Sequence, residues 1–193
     1  MTKSILLVGV GGQGTILAAK ILTLGLMEAG YDVKMSEIHG MSQRGGAVSS
    51  HVRYGEKVYS PVIEKGSADV LISFEQMEAL RWLEYIKPNA KAVVNSLVIK
   101  PVPVLIGKAE YSDKILDEIN AKADATILDA QAEAIAVGNA RALNILLVGT
   151  AVKLMNLETG IDWNKIIAEN VKPAFVEVNQ KAFARGLELA AAM

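Results

Sequence analysis

The sequence predicts one α/β domain over residues 1–193, with a mostly parallel sheet flanked by helices, an inserted β-hairpin and a helical C-terminal third. Three observations carry this prediction. Short runs of Ile, Leu and Val recur through the first two thirds of the chain, continuous rather than alternating, as in strands buried on both faces. Segments with helical spacing of apolar residues separate them. The first strand enters the first helix through "GVGGQG", so Gly9, Gly11 and Gly14 meet the G-x-G-x-x-G spacing in the strand-turn-helix setting it requires. The expected architecture is therefore Rossmann-like.

The elements follow in order. "KSILLVG" reads as a buried strand, and the glycine turn leads to a helix running to about Met27 and stopped by Gly30. "YDVKMSE" is the next strand, making a β-α-β unit whose crossover is expected to be right-handed and parallel. In "GGAVSSHVRYGEKVYSP", the alternation of Val48, Ser50 and Val52 and the turn-forming Tyr54-Gly55-Glu56 predict the inserted hairpin. "ADVLISF" and "KAVVNS" resume the strands, with Met77, Leu80 and Leu83 at helical spacing between them. Pro101 and Pro103 assign "PVPVLIG" to an edge or irregular strand. "SDKILDEINAK" is an amphipathic helix capped by Ser112, and "ATILDA" the last core strand. The remainder reads as helix: "AIAVGNARALNILLVGTAVKLM", then "DWNKIIAEN" capped by Asp162, then a segment opening at Pro173.

Composition narrows the chemistry. The 193 residues are 51% hydrophobic and 21% charged, enough apolar material for a single buried core. Twenty basic and 21 acidic residues leave a net charge of −1 without a Lys or Arg run, which argues against nucleic acid or an anionic membrane as partner. There is no cysteine, so disulfides, thiolate nucleophiles and Cys-ligated zinc or iron–sulfur clusters are excluded within these residues. The longest uncharged stretch, Ser4 to Ala19, falls short of the ~20 residues that span a bilayer. Because the first apolar run leads into a glycine turn rather than a cleavage site, a cytoplasmic location is expected.

Candidate site residues cluster at the expected carboxyl edge of the sheet, where open α/β sheets bind ligands. Gly11, Gly12, Gln13 and Gly14 either bring bare backbone N–H groups to an anion at a helix N-terminus or let helix and strand pack closely. Glu37 stands at the end of the second strand, where a dinucleotide site keeps a carboxylate for the ribose. It is followed by "IHGMSQRGG", which places His39, Ser42, Gln43, Arg44, Gly45 and Gly46 on one loop facing the same crevice. Arg44 is a planar, fixed cation suited to phosphate or carboxylate; the plain alternative is a solvated loop. Glu75 also ends a strand, as a crevice residue or as the acidic start of a helix. His51 and Arg53 fit a hydrogen-bonded structural role. Glu37, His39 and His51 lack metal-ligand spacing, so no metal is expected. Asn139, Arg141 and Asn144 interrupt an apolar helix and, if buried, must be paired within the domain or with a partner. No catalytic triad order, nucleophile elbow or P-loop lysine is present.

Taken together, "GVGGQGTILAAKIL", "SEIHGMSQRGGAVSSHVRYGEKVYSP", "GSADVLISFEQMEALR", "VVNS" and "GNARALNILLVG" resemble, in order over most of residues 1–150, the gamma-type subunits of 2-oxoacid:ferredoxin oxidoreductases. The likeness is to the indolepyruvate type in particular. It implies a subunit of an enzyme that oxidatively decarboxylates a 2-oxoacid to an acyl-coenzyme A and passes electrons to ferredoxin. It also implies that thiamine diphosphate, Mg and iron–sulfur clusters sit on an alpha-type catalytic subunit. This chain would dock on that subunit, help close its active site, and offer its glycine turn to an anion such as a coenzyme A phosphate. By itself it is expected to be inactive. The apolar C-terminal helices add an expectation of self-association. The alternative reading, from Gly9, Gly11, Gly14 and Glu37, is a free-standing NAD(P)-binding enzyme or nucleotide sensor.

Overall fold

The computed structural model of the chain describes residues 1–40 and 45–192. Among them six strands form one sheet: β1 Lys3–Val10, β2 Asp32–His39, β3 Ala47–Gly55, β4 Ala68–Ser73, β5 Ile86–Asn95 and β6 Asp124–Leu128, in the order β2-β3-β1-β4-β5-β6. β1, β4, β5 and β6 pair in parallel, while β3 runs antiparallel to both β1 and β2. The helices are α1 Thr15–Glu28, α2 Gln76–Arg81, α3 Val102–Leu105, α4 Ile115–Lys122, α5 Ala130–Ala136, α6 Leu143–Leu154, α7 Trp163–Asn170 and α8 Val176–Ala191.

The two faces of β1 explain its continuous apolar run. Ile5 and Leu7 enter a core with Leu22, Leu26, Leu146 and Trp163 from α1, α6 and α7. Leu6 and Val8 enter a second core with Ala79, Ile115 and Ile119 from α2 and α4. With period two and both faces covered, every position must be apolar, each buried aliphatic contributing roughly 1.5–3 kcal/mol. The helical C-terminal third covers the first face. α6 and α8 cross backbone to backbone there: a Cβ on Gly149 would strike the carbonyl of Phe183, and one on Gly186 the carbonyl of Leu146. The apolar surface of α6 is thus consumed inside the subunit.

Several elements differ locally from expectation. β2 is parallel to β1 as predicted, but β3 lies between them, so the hairpin is made by β2 and β3 rather than by the two halves of 45–61. The segment after Gly55 leaves the sheet because β3 ties it across one face. Arg53 Nη1 donates to the carbonyls of Ser60 at 3.0 Å and Val62 at 3.1 Å, and the Ile63 N–H donates to His51 Nδ1 at 3.0 Å. "PVPVLIG" forms the short helix α3 instead of a strand, with Pro101 and Pro103 at its start, where a missing N–H costs nothing. The expected helix through 134–155 breaks at Gly138, which has φ 117°, and restarts as a 3-10 turn with Asn139 as its cap. Asp162 caps α7 as predicted, accepting from Lys165 N at 3.0 Å.

Candidate functional site

The carboxyl ends of β1 and β4 meet where the strand order reverses, and the glycine turn sits in that crevice. Its backbone is largely spent within the chain. Gln13 folds back so that its Oε1 accepts from Val10 N at 2.7 Å while its Nε2 donates to the carbonyl of Phe74, at the end of β4, at 3.0 Å. The Gln13 N–H donates to the Val10 carbonyl at 3.2 Å, and the Gly11 N–H to Gly46 O at 2.8 Å, which extends the β1–β3 ladder into the turn. Gly14 has φ 83°, a conformation that side chains rarely adopt. Asn144 Nδ2 donates to its carbonyl at 3.2 Å, and a Cβ on Gly14 would lie 2.6 Å from that nitrogen. A Cβ on Gly9 would lie 2.7 Å from Gln13 Oε1. These glycines are required by internal packing.

Sequence reasoning did not single out Asn95, which completes this edge. It is fully buried, donates from Nδ2 to the same Phe74 carbonyl at 3.1 Å and accepts the Ala130 N–H on Oδ1 at 3.1 Å. The ends of β4, β5 and β6 are fastened through one amide. The available signal was a polar residue closing an apolar strand in "VVNS", because a buried amide must be satisfied.

Two clefts flank β1. The larger, about 430 Å³, is lined by Gly11, Gly12, Gly14, Thr15, Glu37 and His39. The structure therefore brings the glycine turn together with the ends of β2 and β3, as the sequence predicted. Gly45 and Gly46 flank the same turn through Gly11, whereas Ser42, Gln43 and Arg44 lie outside the described residues. His39 Nδ1 is 3.2 Å from the carbonyl of Gly40. The smaller cleft, about 240 Å³, lies between Val10, Gly45 and the start of α2.

Glu75 borders that smaller cleft but is saturated. Its Oε2 accepts from Glu78 N at 2.9 Å as the cap of α2, and its Oε1 accepts from Ile99 N at 3.1 Å and from the Tyr111 hydroxyl at 3.3 Å. It holds the 97–111 segment to the sheet. Beside it, burial pushes the Glu78 carboxyl above the usual carboxylate range, with the Glu75 charge adding and Arg81 opposing. His51 is buried on the face of α2, edge-on to Trp82, remote in role from the crevice, and desolvation lowers its basicity. Among the described residues no three His, Asp or Glu converge to hold a metal. No helix among them is long and apolar enough to cross a membrane.

The chain's sequence and fold both recur in known proteins. Residues 4–189 match the family "Pyruvate ferredoxin/flavodoxin oxidoreductase". The chain belongs to that family. Across 98% of this chain and 96% of the relative, it is 38% identical to the indolepyruvate oxidoreductase subunit IorB of Pyrococcus horikoshii. The gamma subunit of a keto/oxoacid ferredoxin oxidoreductase from Geobacter sulfurreducens superposes with a TM-score of 0.73 at 26% identity over 99% of both chains. A 2-oxoglutarate:ferredoxin oxidoreductase from Magnetococcus marinus shares the fold with a TM-score of 0.76 at 20% identity, over all of this chain but only 31% of its own. The pyruvate oxidoreductase fold is thus found both as a separate gamma chain and within a longer one. This gamma-type member, having no cysteine, holds no Cys-ligated cluster.

Proposed function

We propose that this chain is the cluster-free gamma-type subunit of a cytoplasmic indolepyruvate:ferredoxin oxidoreductase, docking on a catalytic subunit and closing its active site. The observation that carries this reading is the carboxyl edge itself. Gln13, Asn95 and Asn144 close it with hydrogen bonds internal to the chain, and no nucleophile–base pair stands among the crevice residues described above. Such an edge is a rigid surface to present to something else rather than a self-contained catalyst. The near full-length likeness to an indolepyruvate oxidoreductase subunit supplies the substrate class. The chain has no cysteine for a cluster, and among the described residues no three His, Asp or Glu converge on a metal; we assign thiamine diphosphate, Mg, the clusters and delivery of electrons to ferredoxin to the partner. Gly12 and Gly14, whose N–H groups have no partner among the described residues, and the loop carrying His39, Ser42, Gln43, Arg44, Gly45 and Gly46 are the groups we assign to that shared site. A coenzyme A phosphate is the anion the glycine turn would meet there.

Reconstitution tests this. Alone, with indolepyruvate, coenzyme A, thiamine diphosphate, Mg and a viologen dye, the chain is expected to be inactive. Co-expressed with its catalytic subunit it is expected to support dye reduction, and Arg44→Ala to lower that rate without changing the melting temperature of the isolated chain. Turnover by the lone chain would overturn the reading. A second reading, NAD(P) binding, is favoured by Glu37 lining the same cavity as Gly12. Calorimetric titration of the wild type and of Glu37→Gln with NADH decides, and we expect no NADH affinity that depends on Glu37.

A further inference from the structure

The three polar residues noted in "GNARALN" are only partly explained by internal bracing. Asn139 Oδ1 accepts the Arg141 N–H at 2.9 Å, and Asn144 holds Gly14. The Arg141 side chain forms no ion pair among the described residues. It lines a cavity of about 330 Å³ on the far side of Gly14 from the glycine cleft, together with Asn139, Asn144, Lys172, Phe175 and Asn179. Lys172 likewise has no ion pair there, and no carboxylate lines the cavity.

We propose that this cavity is a second binding site, for a phosphorylated organic anion with a planar polar ring, of the ADP type. Its volume lies at the lower end of small-ligand pockets. The glycine cleft differs in carrying the Glu37 carboxylate. Here two cations stand with no acid to neutralise them, and a guanidinium with an ammonium suits a phosphate group. Phe175 is 43% exposed at the rim and offers a ring face for stacking. Asn179 is only 8% exposed; its Nδ2 donates to Phe175 O at 2.8 Å, which leaves Oδ1 to accept from a ring amine. Asn144 joins the cavity wall to the carbonyl of Gly14, so an occupant would stiffen the glycine turn through one shared side chain.

The test is calorimetric titration of the full chain with ADP, with pyrophosphate and adenosine as half-probes. ADP is expected to bind more tightly than either half. Arg141→Gln and Lys172→Gln should each weaken ADP about tenfold or more, as loss of a charge-assisted hydrogen bond does, and Asn179→Ala a few-fold. NADH and coenzyme A, which both carry the ADP group, run as separate arms to show which carrier fits better. Both cations are on the surface, so their variants should keep the wild-type circular dichroism and melting temperature. Amide shifts on adding ADP should fall in 139–144 and 170–179. The proposal is overturned if neither ADP nor pyrophosphate binds at millimolar concentration, or if binding survives both cation variants. It is equally overturned if Glu37→Gln tightens ADP, which would seat the anion in the glycine cleft.

Discussion

Asn144, in the first turn of α6, donates from Nδ2 to the carbonyl oxygen of Gly14 at 3.2 Å, joining positions 130 apart in sequence. The C-terminal helices thereby hold the glycine turn in place. Gly14→Ala would require an alanine at φ 83° and bring its Cβ within 2.6 Å of the Asn144 amide. We expect a loss of about 2 kcal/mol or more in urea unfolding. Gly12→Ala carries a similar backbone strain, at φ 101°, but its added Cβ meets nothing within 4 Å, so it should lose less by the packing part alone. Equal losses at the two positions would remove the packing argument.

Gln13 is the stitch between β1 and β4. Gln13→Ala gives up both of its hydrogen bonds and leaves the Phe74 carbonyl with Asn95 alone, at an expected cost of about 1–3 kcal/mol. Gln13→Glu keeps an acceptor for Val10 but turns a carboxylate toward the Phe74 oxygen, so it should be the worse of the two. Amide exchange at Val10 reports it directly: faster in Gln13→Ala, and unaltered only if the stitch does not form.

His51 makes stability pH-dependent. The Ile63 N–H donates to its Nδ1, and desolvation holds its basicity below the ordinary value of 6.5. The folded state therefore disfavours the proton relative to the unfolded state. The stabilisation is complete above the unfolded pKa and is lost as the pH falls from there toward the lowered folded value. The melting temperature should drop between pH 7.5 and pH 5.5 more steeply in the wild type than in His51→Gln, whatever the variant's absolute stability. Parallel slopes would exclude His51 as the cause.

The α6–α8 crossing leaves no room for a methyl group. Gly149→Ala and Gly186→Ala each press a Cβ on a backbone carbonyl, and the helices must separate. We expect losses of roughly 1–3 kcal/mol for either, with a second alanine adding less than the first because the helices have already parted. Thermal unfolding of the two single variants and the double variant measures this. Additive losses would mean that the glycines act independently.

Much of the sheet was legible because β1, β4 and the end of β5, residues 92–94, announce themselves by continuous apolar runs, and two covered faces leave no freedom for polar residues there. The first half of β5, with Lys87, Pro88 and Asn89, carried no such signal. Asp162 was readable as a helix cap from the acid-before-helix pattern, since a cap is a local hydrogen bond, whereas for Glu75 that pattern left a crevice role equally open until its contacts with Glu78, Ile99 and Tyr111 were seen. The position of β3 was not. "SSHVR" alternates like any half-exposed strand, and only the side-chain contacts of His51 and Arg53 with Ser60, Val62 and Ile63 send the following segment over the sheet face rather than back along its edge. The break at Gly138 was similarly hidden, because the apolar period on either side of it is continuous.

By itself the sequence determined the α/β class, the absence of thiolate chemistry, and the gathering of the glycine turn with Glu37 and His39 at one edge, because strand and helix periods and the turn residues between them are local properties. Only the tertiary structure decided how that edge is closed. Whether the N–H groups and glycines of "GVGGQG" wait for a ligand or are already used depends on Phe74, Asn144 and Gly46. Those partners arrive from strands and helices that no local pattern connects, and a hydrogen bond formed inside the chain takes up the donor that a ligand would otherwise have met.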